Sequence, residues 1–231
     1  MARNKHAPLK NIEPISRKTE SIPSKKAFLI ACEGECTEPN YIKGLVRCEK
    51  ADKRIAAGTV VRIAQHQHSN PYGAYKDLVS SGELESFDEC WIVIDRDEIE
   101  YKGKGVGGHS EIDFLKAVEE CKKAGVNVAC SNPCFELWIV LHFEYRDTAC
   151  SRGDIQSKAF EKINSILDDA NKLKTVDALK AFDNLYVILR DKTSVACKFA
   201  KKLSENKDMF ENPSTGIYQL VESLLGNKKG E

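Results

Sequence analysis

The chain has 231 residues and balances 35 Lys+Arg against 35 Asp+Glu, so it carries no net charge; that excludes a dedicated nucleic-acid coat but leaves room for a locally basic groove. No apolar stretch reaches the roughly 18 residues that span a bilayer and no apolar leader follows Met1, so the expected compartment is the cytoplasm. Nine cysteines, several inside apolar runs (Cys32, Cys90, Cys130, Cys197), read as reduced and structural there.

Residues 1 to 25 stand apart. Through Lys26 the segment holds seven Lys/Arg against Glu13 and Glu20, with Pro8, Pro14 and Pro23. So little of it is apolar that a mobile basic arm is expected, either a merely soluble tail or a contact for phosphates.

Lys26 to Cys32 is a short apolar run that reads as a buried strand, and it ends at Glu33-Gly34. Thr37 suits a helix N-cap and Pro39 is tolerated in a first turn, so a helix is expected over about 38–50. Glu33 then stands at the carboxyl end of a strand and Glu38 in the first turn of a helix. There, Glu38 could simply complement the helix dipole. Cys36, four residues after Cys32, does not make the Cys-x-x-Cys of a zinc ribbon, and neither does the pair Cys130 and Cys134.

Val60 to Ala64 reads as a second strand and Pro71 to Leu84 as a helix. Cys90 to Ile94 is the next buried strand, and it stops abruptly at Asp95-Arg96-Asp97. Side chains two apart on an extended segment point the same way, so Asp95 and Asp97 converge. Two carboxylates pushed together raise each other's pKa unless a cation lies between them, and a hard divalent ion such as Mg²⁺ or Mn²⁺ is the economical solution. An ordinary solvated turn is the alternative. Glu33, Asp95 and Asp97 would then share one crevice, because ligands of open α/β sheets bind outside the carboxyl strand ends.

The Gly-rich stretch from Lys102 to Gly108 lacks the Lys-Ser/Thr ending of a P-loop. It reads as a flap beside the crevice, from which Lys102 and Lys104 could reach substrate phosphates. A helix is expected over 110–123 and a strand over 126–130. Strands alternating with helices of this length give a mainly parallel sheet flanked by helices.

Ser131 to Trp138 opens at the end of that fourth strand, with Asn132 as a candidate N-cap, Pro133 at the first helical position, and a nearly all-apolar helix to His142. Glu136 within it needs a partner, either a metal ligand that it supports or a core arginine. His142 reads as a satisfied, half-buried histidine. From Ser151 onward the pattern is helical, through Ile155, Phe160 and Ile163 to Ile217, Leu220 and Leu224, with Asn212 to Thr215 as a turn that caps the last helix. The division expected is an arm over 1–25, an α/β core over 26–148 and a helical C-terminal region over 149–231.

A Glu-Gly after a first strand and an Asp-x-Asp after a later one resemble the Toprim pattern of topoisomerases, primases and the overcoming-lysogenization-defect nucleases. That resemblance implies a Toprim-like α/β fold, with Glu33 as general acid/base or ligand and Asp95 and Asp97 holding Mg²⁺ or Mn²⁺. Glu38, implied as a further ligand, stands five residues after Glu33, against four in those nucleases. More specifically, Glu33 to Tyr41, Ile94 to Asp97, Ser131 to Trp138 with Leu141 to Phe143, and Asn212 to Thr215 resemble the RloB-like family over about residues 25 to 225. The resemblance implies phage defence beside a neighbouring ATPase. Asn132, Glu136, Lys102 and Lys104 are expected to support the metal or the substrate. A metal-dependent phosphodiester hydrolase acting on RNA or DNA is the expected function. The alternatives are a Toprim nucleotidyl transferase with the same acids, and a non-catalytic adaptor or nucleic-acid-binding subunit.

Overall fold

The computed structural model describes residues 25–97 and 110–226; the basic arm and the Lys102/Lys104 flap lie outside them. Four parallel strands, β1 (Ala27–Cys32), β2 (Val60–Ile63), β3 (Glu89–Asp95) and β4 (Asn127–Asn132), are joined by a short antiparallel β5 (Ser214–Thr215). The order across the sheet is β2-β1-β3-β4-β5. Helices α1 (Thr37–Ala51), α2 (Pro71–Ser80) and α3 (Glu111–Ala124) link the parallel strands. After β4 come α4 (Glu136–Leu141), α5 (Arg152–Asn164), α6 (Val176–Lys180), α7 (Leu185–Leu189), α8 (Thr193–Ser204) and, beyond β5, α9 (Ile217–Leu224). This is the expected α/β architecture: a mostly parallel sheet flanked by helices, with a helical C-terminal part. Among the described residues no helix is long and apolar enough to cross a membrane.

The central strands β1 and β3 read as apolar runs because both of their faces are covered. Phe28, Ile30 and Cys32 of β1 and Trp91 and Val93 of β3 face a large core shared with α1, α4, α5 and α7 to α9. The alternate residues Leu29, Ala31, Cys90, Ile92 and Ile94 face a smaller one closed by Ala74 and Leu78 of α2 and Phe114, Ala117 and Cys121 of α3. Tyr41 centres the larger core, edge-on to Tyr186, Phe135 and Trp138 at ring separations of 5.3, 5.8 and 6.3 Å. Glu49 on α1 is fully buried. Tyr186 O–H and Arg190 Nε each donate to it at 2.7 Å, and Arg54 pairs with both of its oxygens. It ties α1 to α7 as a polar hub on the same buried face as Ile42 and Leu45.

Several boundaries differ from expectation. Thr37 is the first helical residue of α1 rather than its cap. Helix α2 ends at Ser80, where the hydroxyls of Ser80 and Ser81 both bond the Asp77 carbonyl; a separate 3₁₀ turn covers Leu84–Ser86. Asn132 does not cap α4. It is the last residue of β4, its peptide bond to Pro133 is cis, and α4 starts only at Glu136. Ser214 and Thr215 form β5 against Asn132 and Ser131 rather than a simple cap. His142 is fully buried rather than half-buried. Its Nε2 lies 3.3 Å from the Tyr41 hydroxyl, its Nδ1 donates to the Trp138 carbonyl at 2.8 Å, and burial pushes its pKa down to about 4.

The chain leaves β1 for β2 on one side and returns to β3 on the other. The order therefore reverses between β1 and β3, and a crevice opens at their carboxyl ends.

Candidate functional site

Glu33 follows β1 directly and its N–H donates to the Val93 carbonyl at 2.9 Å, so the sheet ladder fixes its place. Its Oε2 accepts from the Asp95 N–H at 3.0 Å, which binds the end of β1 to the end of β3. Beyond Asp95 the chain stays pinned to β4's exit: Arg96 N–H donates to the Ser131 carbonyl at 2.8 Å and Asp97 N–H to that of Pro133 at 3.0 Å. Asp97 has φ 52°, a left-handed conformation that Asp tolerates better than most residues and that marks strain at a site. Strand alternation sends Arg96 the other way. Its guanidinium packs over Phe114 and Phe210 at 4.7 and 5.8 Å and reaches Glu111 at 3.2 Å.

Glu38, in the first turn of α1, folds its carboxyl group back over Gly34, whose N–H and Glu38's own N–H hold it. A Cβ at position 34 would overlap that carboxylate, which is why glycine stands there. Gly34→Ala should therefore displace Glu38, costing about 1–3 kcal/mol as the buried carboxylate gives up backbone donors. It should also weaken Mn²⁺ binding about tenfold. Urea melts and a Mn²⁺ titration check both; an unchanged affinity would separate Glu38 from the ion.

These side chains line one cleft of about 380 Å³, together with Glu136 at the start of α4 and Arg152 at the start of α5. Asn132 does not line it, and its amide donates to the Met209 carbonyl at 3.4 Å. Glu33, Glu38, Asp95, Asp97 and Glu136 are all buried. Arg152 was not foreseen: it pairs with Asp97 Oδ1 through Nη1 and lies 3.6 Å from Asp95 Oδ2 through Nη2. Its one sequence signal is a cation in a helical first turn, where the dipole disfavours it; Ser151, which accepts from Asp154 N–H at 3.0 Å, caps that helix. Lys180, at the end of α6, also lines the cleft.

Burial dominates the electrostatics. It pushes Glu33 up to about 8; the Asp95 N–H opposes the shift, and the Asp97 and Glu38 charges add to it. Glu38 is pushed up to about 7, again by burial first. Asp95 is held well above the usual carboxylate range by burial and then by Glu38 and Glu33, even with Arg152 opposing. The aspartates in turn raise the Arg152 guanidinium against its own partial desolvation.

An all-carboxylate oxygen set is the donor chemistry of Mg²⁺ or Mn²⁺ rather than of a softer metal. The arrangement, however, closes around a guanidinium. Among the described residues no three His, Cys, Asp or Glu side chains are gathered as a ligand set, and Arg152 spans Asp95 and Asp97.

A family model described as RloB-like protein matches residues 28–224. No curated protein matches the chain.

Proposed function

The chain belongs to the RloB-like family, and from that premise we propose that it is a Toprim-type, Mg²⁺- or Mn²⁺-dependent phosphodiester hydrolase acting on RNA or DNA. One observation carries the reading. Four buried carboxyl groups, Glu33, Glu38, Asp95 and Asp97, are delivered by the ends of β1 and β3 and the first turn of α1 to one cleft at the reversal of the sheet.

Glu38, Asp95 and Asp97 would hold the ion, which when bound would activate a water and offset the charge of the phosphodiester under attack. Glu33 supplies the proton chemistry. A carboxyl group titrating at about 8 and fixed by the Asp95 N–H can take up or release a proton near neutral pH. Glu136, buried at the start of α4, adds a fifth carboxyl group to the lining of the same cleft. The family resemblance supports a role in phage defence beside a neighbouring ATPase.

The test is cleavage of tRNA, single-stranded DNA and duplex DNA in Mg²⁺ or Mn²⁺, with and without the neighbouring ATPase. Cleavage is expected, and Glu33→Ala should lower it on the order of 10²–10⁴-fold. Silence on every substrate would overturn the hydrolase in favour of an adaptor. Incorporation of nucleoside triphosphates without cleavage would favour the transferase.

A further inference from the structure

Arg152 takes the position in which a divalent ion would serve the same two acids. Nη1 contacts Asp97 and Nη2 lies 3.6 Å from Asp95, so the planar fork of the guanidinium spans both carboxylates. The helix does not favour it there, because the first turn of α5 presents the positive end of its dipole. The acids therefore hold it. Its side chain keeps 32% of its surface exposed, against 9% for Asp95 and 3% for Asp97. The cation can thus swing towards solvent without unpacking the core, whereas the acids cannot move.

Two cations cannot share one pair of carboxylates at contact distance without strong mutual repulsion in a partly desolvated cleft. We infer that Arg152 and the divalent ion compete for Asp95 and Asp97, so that metal loading is an exchange in which the guanidinium leaves the aspartates. Arg152 then sets the affinity and keeps the metal-free acids neutralised. The inference rests on the metal-dependent reading above, and it makes an otherwise puzzling pair of facts agree: a cluster of hard ligands and, among the described residues, no trio of them gathered for an ion.

The test is calorimetric titration of the full chain with Mn²⁺, comparing wild type with Arg152→Gln and Arg152→Lys, alongside thermal melts with and without Mn²⁺. Arg152→Gln should bind Mn²⁺ at least about tenfold more tightly, since the guanidinium no longer has to be displaced. Without metal it should melt lower than wild type, and Mn²⁺ should raise its melting temperature by more. Should Arg152→Gln fail to fold without metal, Arg152→Lys carries the test. It keeps one charge but cannot fork across two acids, and should bind more tightly than wild type. Wild-type binding that is undiminished and not improved in the folded variant would overturn the exchange and leave the metal reading standing. No binding by wild type or variant would overturn both.

Discussion

Asp97→Asn is expected to abolish measurable Mn²⁺ binding while the fold survives. Loss of a group behind a ligand typically weakens a metal site 10–100-fold, so loss of a ligand's charge should cost at least about 100-fold. Asparagine is the informative replacement because it tolerates the left-handed conformation that Asp97 adopts at φ 52°. Alanine there would add backbone strain of about 1–2 kcal/mol and confuse loss of the ligand with loss of the fold. The N–H bond to the Pro133 carbonyl is kept in either variant. Calorimetry with Mn²⁺ and a circular dichroism melt decide the matter: retained affinity in a folded Asp97→Asn protein would remove Asp97 from the metal centre. Arg152→Gln should move the affinity the other way. The two substitutions cut the same ion pair from opposite sides, so a general loosening of the cleft cannot explain both results.

Without metal, stability should fall as pH rises through neutrality. Glu33 titrates at about 8 and Glu38 at about 7 in the folded chain, against 4.5 for the ordinary carboxyl group. Between those values the folded chain keeps protons that the unfolded chain has lost, so the unfolding free energy declines with pH. The stability is complete near pH 4 and is lost as pH rises through 7 and 8. One such group contributes about 1.4 kcal/mol per pH unit between its two pKa values, so Glu33 alone should account for about 2 kcal/mol between pH 6.5 and 8. Below about 6.5 the trend is opposed by His142, which is pushed down to about 4 and must stay neutral in the core. The measurement is urea unfolding in a chelator from pH 6.5 to 8.5, for wild type and Glu33→Gln. Glutamine keeps an oxygen for the Asp95 N–H, does not ionise, and should flatten the slope. Equal slopes in the two proteins would show that Glu33 is not the titrating group.

The strands and the acids that end them were legible for one reason. A parallel strand covered on both faces is an apolar run, and the first charged residue after it marks the crevice. Glu33, Asp95 and Asp97 could be placed from that logic, whereas a site role for Glu38 was implied only by the family resemblance. Arg152 could not, because its contact with Asp97 spans 55 residues and depends on how α5 packs against α4. Asn132-Pro133 misled for a different cause. Its composition suits a helix start, but pairing with β3 and β5 carries β4 to Asn132, whose amide takes the Met209 carbonyl as its partner. Ser214 and Thr215 offer two residues, too few for any periodicity to register. Glu49 shares the face of α1 that carries Ile42 and Leu45, but its partners Tyr186 and Arg190 lie 137 and 141 residues away, beyond the reach of local pattern.

The two-residue strand β5 also fixes an order in time. It pairs with β4 through Ser131 and Asn132, so the outer edge of β4 stays unpaired until residues 214 and 215 are present. During synthesis the first four strands can assemble while that edge still offers open N–H and C=O groups, the state in which a sheet recruits foreign strands. Arg152 also arrives late, well after the acids that it joins. A nascent chain halted short of residue 214 would thus carry a complete set of acids at one end of a sheet with an unguarded flank, which β5 closes only when it emerges.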